Sequence, residues 1–165
     1  MSKPILNIDD AEFTRELRHA DRFEAKSAPL SVHLGAEKLA YNLTVVAPGK
    51  SAFPFHNHHA NEELFFILEG AGTLRFGDAE HPVRKGDLIA CPPGGTEMAH
   101  QLTNTGESEL RYLALSTTVA TDIVQYPESG KFAVVAGYRP GMKMTEAPFA
   151  GIYREDERRD YWEGE

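Results

Sequence analysis

A chain of 165 residues, 41% hydrophobic with a formal net charge of -8, suits one domain of the usual roughly 100 to 200 residues. The acidic balance argues against nucleic acid as a partner, which wants a basic stripe, and the lone Cys91 excludes an intramolecular disulfide and suits a reducing compartment. MSKPILNIDD at the start lacks the apolar core of a signal peptide, and no apolar run approaches the roughly 20 residues of a membrane helix, so a cytoplasmic protein without a membrane partner is expected.

In chain order, Pro4 to Ile8 reads as an edge strand or a docking arm. Asp9 and Asp10 are placed to cap a helix over Ala11 to Phe23, with Phe13, Leu17 and Ala20 on one side; a loop with one helical turn is the alternative. Strand character begins at Ser31 with SVHLGA, and Leu39 to Gly49 alternates so that Leu39, Tyr41, Leu43 and Val45 share a face before the Pro48-Gly49 turn. Further short strands are predicted over Leu64–Leu68, Thr73–Phe76, His81–Arg84, Leu88–Cys91, Met98–Thr103, Leu110–Ser116 and Lys131–Gly137. Glycine-bearing turns separate many of them. Short strands at about 8 to 12-residue spacing predict an all-β sandwich or small barrel. The expected division is an N-terminal arm over 1–30, a barrel domain over 31–138 and a C-terminal extension over 139–165, whose Tyr161-Trp162 pair is expected to dock.

The chemistry concentrates in FHNHHANEELFFILEG, Phe55 to Gly70. Side chains alternate across a strand, so His56 and His58 point the same way. A turn through Ala60 and Asn61 brings a carboxylate, Glu62 or Glu63, back toward them. Imidazole and carboxylate together suit a borderline divalent ion. A histidine-rich surface loop is the plainer reading, weakened by the apolar strand attached to it. His59 points the other way by parity. His81 is expected to be exposed, His19 and His33 have no partner in sequence, and Cys91 reads as a buried inert thiol. Tyr41, Phe55, Met98, Leu102 and Tyr112 are candidates for a pocket or for ordinary core. Lys38, Lys50, Arg75 and Arg111 are candidates for holding an acidic substrate. No phosphate-cradling glycine loop and no nucleophile triad can be drawn, and no residue is assigned as a catalytic base.

Two ordered stretches resemble the cupin superfamily. Gly49, His56-Asn57-His58, Glu63 and Gly70 follow its first motif, and Gly86, Pro92-Pro93-Gly94, His100 and Asn104 follow its second, with fifteen residues between Gly70 and Gly86. Glu63 rather than Glu62 satisfies the spacing on both sides, and it shares strand parity with Phe65 and Ile67. Two departures stand out: six residues precede His56 where the pattern has five, and five, Gly95 to Ala99, precede His100 where it has two. The motifs span about one third of the chain.

The resemblance implies a double-stranded β-helix, or jelly-roll barrel, holding a divalent transition metal (manganese, iron, nickel, cobalt or zinc) on His56, His58, Glu63 and His100. It also implies a homodimer and a small-molecule ligand or substrate. PFHNHHANEELFFILEG and ACPPGG look like single-domain bacterial cupins of sugar-phosphate isomerase type, in which the metal would act as a Lewis acid. An iron-dependent dioxygenase and a non-catalytic ligand-binding module are the other functions this ligand set allows.

Overall fold

The computed structural model describes residues 4–165, and the first three residues of the expected arm lie outside that range. Its strands are β1 (Arg15–His19), β2 (Phe23–Pro29), β3 (Leu39–Val46), β4 (Asn57–His58), β5 (Glu63–Glu69), β6 (Ala71–Phe76), β7 (Ala79–Arg84), β8 (Leu88–Cys91), β9 (His100–Thr103), β10 (Leu110–Thr117), β11 (Thr121–Tyr126), β12 (Lys131–Ala136) and β13 (Phe149–Arg154). A single helical turn, α1 (Leu30–His33), separates β2 from β3. The strands pair antiparallel in a six-stranded sheet ordered β1-β2-β3-β10-β5-β8, a three-stranded sheet β7-β6-β9, and a four-stranded sheet β13-β12-β11-β4. This is the expected jelly-roll barrel. Among the described residues no helix is long and apolar enough to cross a membrane.

β5 shows why the sheets fold over one another. Its odd residues Phe65 and Ile67 point into the barrel, where they pack with Val46, Leu74, Ile89, Leu102, Leu110 and Tyr112. Leu68, of opposite parity, faces a second cluster outside the sheet, built on Ala28, Leu30 and Leu43 with Leu6 and Ile8 of the N-terminal segment. A strand covered on both faces needs no alternation, which is why the run Leu64 to Leu68 is continuously apolar. The same two-sided cover corrects one expectation. Tyr41 and Leu43 of β3 belong to the outer cluster, while Val46 belongs to the barrel, so Tyr41 is not a pocket residue.

Three local expectations give way to tertiary pairing. The helix over Ala11 to Phe23 is instead the hairpin β1–β2, turning at Ala20, whose φ is 46°. Its Phe13, Leu17 and Ala20 spacing is helical only by coincidence, and edge pairing of β2 with β3 decides the conformation. SVHLGA is not a strand: Leu30 to His33 form α1, directly after Pro29, which lacks the N–H a ladder needs. At the other end of the chain, Tyr161 and Trp162 do not dock: they are 84% and 73% exposed and meet edge to face. Besides β1 and β2, the strands β11 and β13 escaped the sequence pattern, and together with β12 they build most of the four-stranded sheet.

Turns hold the barrel's register. Gly70, between β5 and β6, has φ +83°, and a Cβ there would run into the backbone carbonyl of Glu109, so a side chain is excluded by conformation and by space. Asn104 is fully buried after β9; its Nδ2 donates to the carbonyls of Val46 and Ser108, both at 2.8 Å, and its Oδ1 accepts from Gly106 N at 3.0 Å. One side chain thereby ties the end of β9 to the end of β3.

Candidate metal centre

Four short segments bring the site together. His56 forms an isolated bridge with His100 at the start of β9. His58 ends β4, which is held against β11 through Val124 and Gln125. Glu63 opens β5, with its side chain on the barrel face that Phe65 and Ile67 continue inward. The three residues by which the loop before His100 is long have a defined form. Thr96 to Met98 make one 3₁₀ turn, which leaves the Met98 carbonyl 3.1 Å from His100 Nδ1.

The geometry clusters three of the four expected ligands, and His100 joins them through Glu63. One ligand atom from each of His56, His58 and Glu63 falls within 4.8 Å of the others. Glu63 Oε2 lies 3.7 Å from His56 Nε2, 3.6 Å from His58 Nε2 and 3.0 Å from His100 Nε2. Each opposite ring nitrogen faces an oxygen acceptor: His56 Nδ1 the Pro54 carbonyl at 2.8 Å, His58 Nδ1 the Asp122 carboxylate at 2.6 Å, and His100 Nδ1 the Met98 carbonyl. A carbonyl or carboxylate only accepts, so all three Nδ1 atoms carry the proton and donate. The three Nε2 atoms then direct either lone pairs or additional protons at a carboxylate. Three lone pairs and an anion aimed at one point repel unless positive charge sits among them. This donor set fits a divalent transition ion, and the outward Nδ1–H bonds are the orienting contacts that metal-binding imidazoles use.

The electrostatics agree with that reading. Burial alone would raise Glu63, but hydrogen bonds from His100 and His56 and the charges of His58 and His56 outweigh it and hold the carboxyl well below the usual range. Burial alone would lower His58, but the bond to Asp122 and the charges of Glu63 and Asp122 raise it above the ordinary imidazole value. Asp122 is raised by burial and lowered more strongly by His58, Asn61 and Ala60, so it stays ionised.

Asp122 is the site residue that sequence reasoning missed. It is 5% exposed, accepts from Ala60 N at 2.9 Å and from Asn61 Nδ2 at 2.8 Å, and so anchors the histidine loop as well as His58. It lies on β11, where no turn-bounded apolar pattern announced a strand.

The remaining histidines and Glu62 lie away from the cluster. Glu62 is exposed and its N–H bonds Thr117, away from the cluster. His59 is exposed with Nε2 2.7 Å from Gln125 Oε1, and His19, His33 and His81 are also exposed. Cys91, opposite Glu63 across β5 and β8, is pushed up to about 12 by burial and by Glu63, so it is no nucleophile.

A cavity of about 510 Å³ opens at the histidines, with His56, His58 and Asp122 in its wall. Glu63 and His100 lie deeper, with side chains 16% and 3% exposed. The rest of the wall is largely apolar and aromatic, including Phe53, Val124, Tyr126, Val135 and Tyr138. None of the pocket residues expected from sequence lines it. Phe55 is buried beneath the Arg75 guanidinium, 3.7 Å from its ring centroid, and Leu102 and Tyr112 are barrel core. Met98 contributes its carbonyl to His100 rather than a wall. The expected basic residues are elsewhere too: Arg75 pairs with Glu128, Arg111 with Asp9 and Glu69, and Lys50 bonds the Asp21 carbonyl. Lys38 is also absent from the wall, and the cations present there are Arg15 and Lys143.

Comparison with known proteins agrees with the fold. Residues 42–116 match the family described as the cupin domain. An uncharacterised protein of Methanocaldococcus jannaschii is 28% identical over 107 residues, 65% of this chain and 74% of its own length. An oxalate-binding protein of Thermotoga maritima is 29% identical over 68 residues, 41% of this chain and 54% of that protein, so the match spans about half of it. A solved structure from Silicibacter pomeroyi, described as a sugar phosphate isomerase from a cupin superfamily, superposes with a TM-score of 0.77 at 22% identity, over 97% of this chain and 98% of that one. The domain match spans both histidine motifs, and the barrel built around them has the fold of solved cupin structures, so the chain carries a cupin-like domain over residues 42–116.

Proposed function

We propose that the protein is a metal-dependent cupin enzyme acting on a small metabolite, with His56, His58, Glu63 and His100 holding one divalent transition ion. The observation that carries this is the convergence of three Nε2 atoms on Glu63 Oε2, each ring fixed by an acceptor at Nδ1. When bound, the ion supplies Lewis acidity toward a carbonyl or hydroxyl oxygen. The chain's own residues orient that chemistry. Asp122 and the Pro54 and Met98 carbonyls hold the rings, and the apolar wall excludes water. Tyr126, raised by burial, stays a neutral phenol that can donate a hydrogen bond into the cavity. A sugar-phosphate isomerase type of reaction is supported by the likeness to the Silicibacter pomeroyi protein along almost the whole chain.

A second reading has its own observation. The cavity wall is mainly apolar, and its one carboxylate, Asp122, is committed to His58 and Asn61. Such a wall suits an iron-dependent oxygenase acting on an apolar or aromatic substrate. Metal analysis of protein purified without added metal, with activity on a substrate panel, separates the two. Manganese or zinc with interconversion of sugar phosphates supports the first; iron with oxygen uptake supports the second. His100→Ala is expected to lower metal affinity by more than the roughly 10 to 100-fold of an outer-contact change, read by chelator competition. Full metal occupancy in that variant removes His100 from the ligand set. A homodimer belongs to the same proposal, and a mass of one 18.3 kDa chain by light scattering would remove it.

A further inference from the structure

The cavity's two cations come from opposite ends of the chain. Arg15 opens β1, and Lys143 sits in the segment between β12 and β13. Both line the cavity that His56 and His58 open into, and among the described residues neither charged head group forms an ion pair, the nearby Glu146 carboxylate being bonded to the Lys143 backbone N–H at 2.9 Å instead. The wall's one carboxylate, Asp122, is already neutralised by His58 and saturated by Ala60 and Asn61. In a chain of net charge -8, the residues lining this wall therefore carry more unpaired positive than negative charge. Its remaining surface is apolar, with Phe53, Val119 and Tyr126 among the lining residues. Low-dielectric walls strengthen the pairing of a cation with an incoming anion.

We propose that Arg15 and Lys143 form an anion subsite for a small organic anion with an apolar body, its acidic group on the two cations and its body against the wall. This rests on reading the cavity as the substrate site, and it narrows the substrate class within that reading. A cavity of about 510 Å³ accommodates a metabolite of one ring or a short chain. A carboxylate and a phosphate share the required chemistry, Arg offering a planar fork and Lys a point charge.

The test uses benzoate and phenyl phosphate as anionic probes, benzamide as the uncharged analogue and inorganic phosphate as the charge without a body. Calorimetric titration is run on the full chain, metal-free and after loading with manganese, for wild type and for the Arg15→Gln/Lys143→Gln double variant. Both side chains are exposed, so the variant is expected to keep its fold, checked by its melting temperature. The expected result is that wild type binds benzoate or phenyl phosphate at least 10-fold more tightly than benzamide or inorganic phosphate. The double variant loses that preference while its manganese affinity stays within twofold. A preference for phenyl phosphate over benzoate assigns a phosphate, and the reverse a carboxylate. Benzamide binding as tightly as benzoate, or a double variant with the preference intact, overturns the subsite. Failure of wild type to bind manganese removes the metal reading alone. The anion preference in metal-free protein, and its loss in the double variant, then still decides the subsite.

Discussion

Asp122 does the most at the scale of single residues, because one buried carboxylate orients His58 and ties down the loop that carries it. Asp122→Asn keeps the shape and removes the charge. Its metal affinity is expected to fall about 10 to 100-fold, measured by chelator competition with the melting temperature as a folding control. An unchanged affinity would show that His58 needs no such partner. The pH dependence follows from the same contacts. His58 is raised above its ordinary 6.5 in the folded chain, so in the metal-free protein its contribution to stability is fully present below about 6.5 and is lost as pH rises through the raised value. Glu63 and Asp122 are lowered, so their contribution is present above their unfolded values and is lost on strong acidification. Metal competes with the protons on the imidazoles. Apparent metal affinity is therefore expected to rise between about pH 6 and 8, with proton release in calorimetry. A flat profile over that range would argue against His58 as a ligand.

Among the elements, the β5–β6 turn and the packing of β3 matter most to the site. Gly70 holds a left-handed conformation against the Glu109 carbonyl. Gly70→Ala is expected to cost at least about 1–3 kcal/mol from backbone strain, read as a lower denaturation midpoint with an unchanged slope. The same change with no loss of stability would mean that the turn relaxes freely. β5 supplies Glu63 at one end and this turn at the other, so its register sets how deep the carboxylate sits. The loop before His100 shows how local geometry absorbs a departure in spacing: the added residues curl into a 3₁₀ turn and deliver an acceptor to the ring.

Over the whole molecule, the barrel is covered from outside as well as filled from within. Leu43 is fully buried on the outer face of the six-stranded sheet, against Leu6, Ile8 and Leu30. Leu43→Ala is expected to destabilise by about 2–5 kcal/mol, measured by chemical denaturation. A loss near that of an exposed leucine would mean the N-terminal segment leaves the sheet in solution.

The sequence alone determined the all-β class and the pairing of His56 with His58, because these depend on local quantities, while Glu63 and His100 came from the resemblance to the cupin motifs. Strand alternation puts His56 and His58 on one side, and the spacing of the cupin motif to Gly70 separates Glu63 from Glu62. A turn residue such as Asn104 likewise announces its place by spacing. Tertiary structure decided the hairpin at Arg15 to Pro29, the partner Asp122, and the cavity wall with Arg15 and Lys143. The hairpin forms because β3 offers an edge. Asp122 reaches His58 because two segments 64 residues apart pair as β4 and β11. Arg15 and Lys143 share a wall because the sheets fold over one another. Contacts between distant segments leave no period or spacing in the chain, so only the closed barrel reveals them.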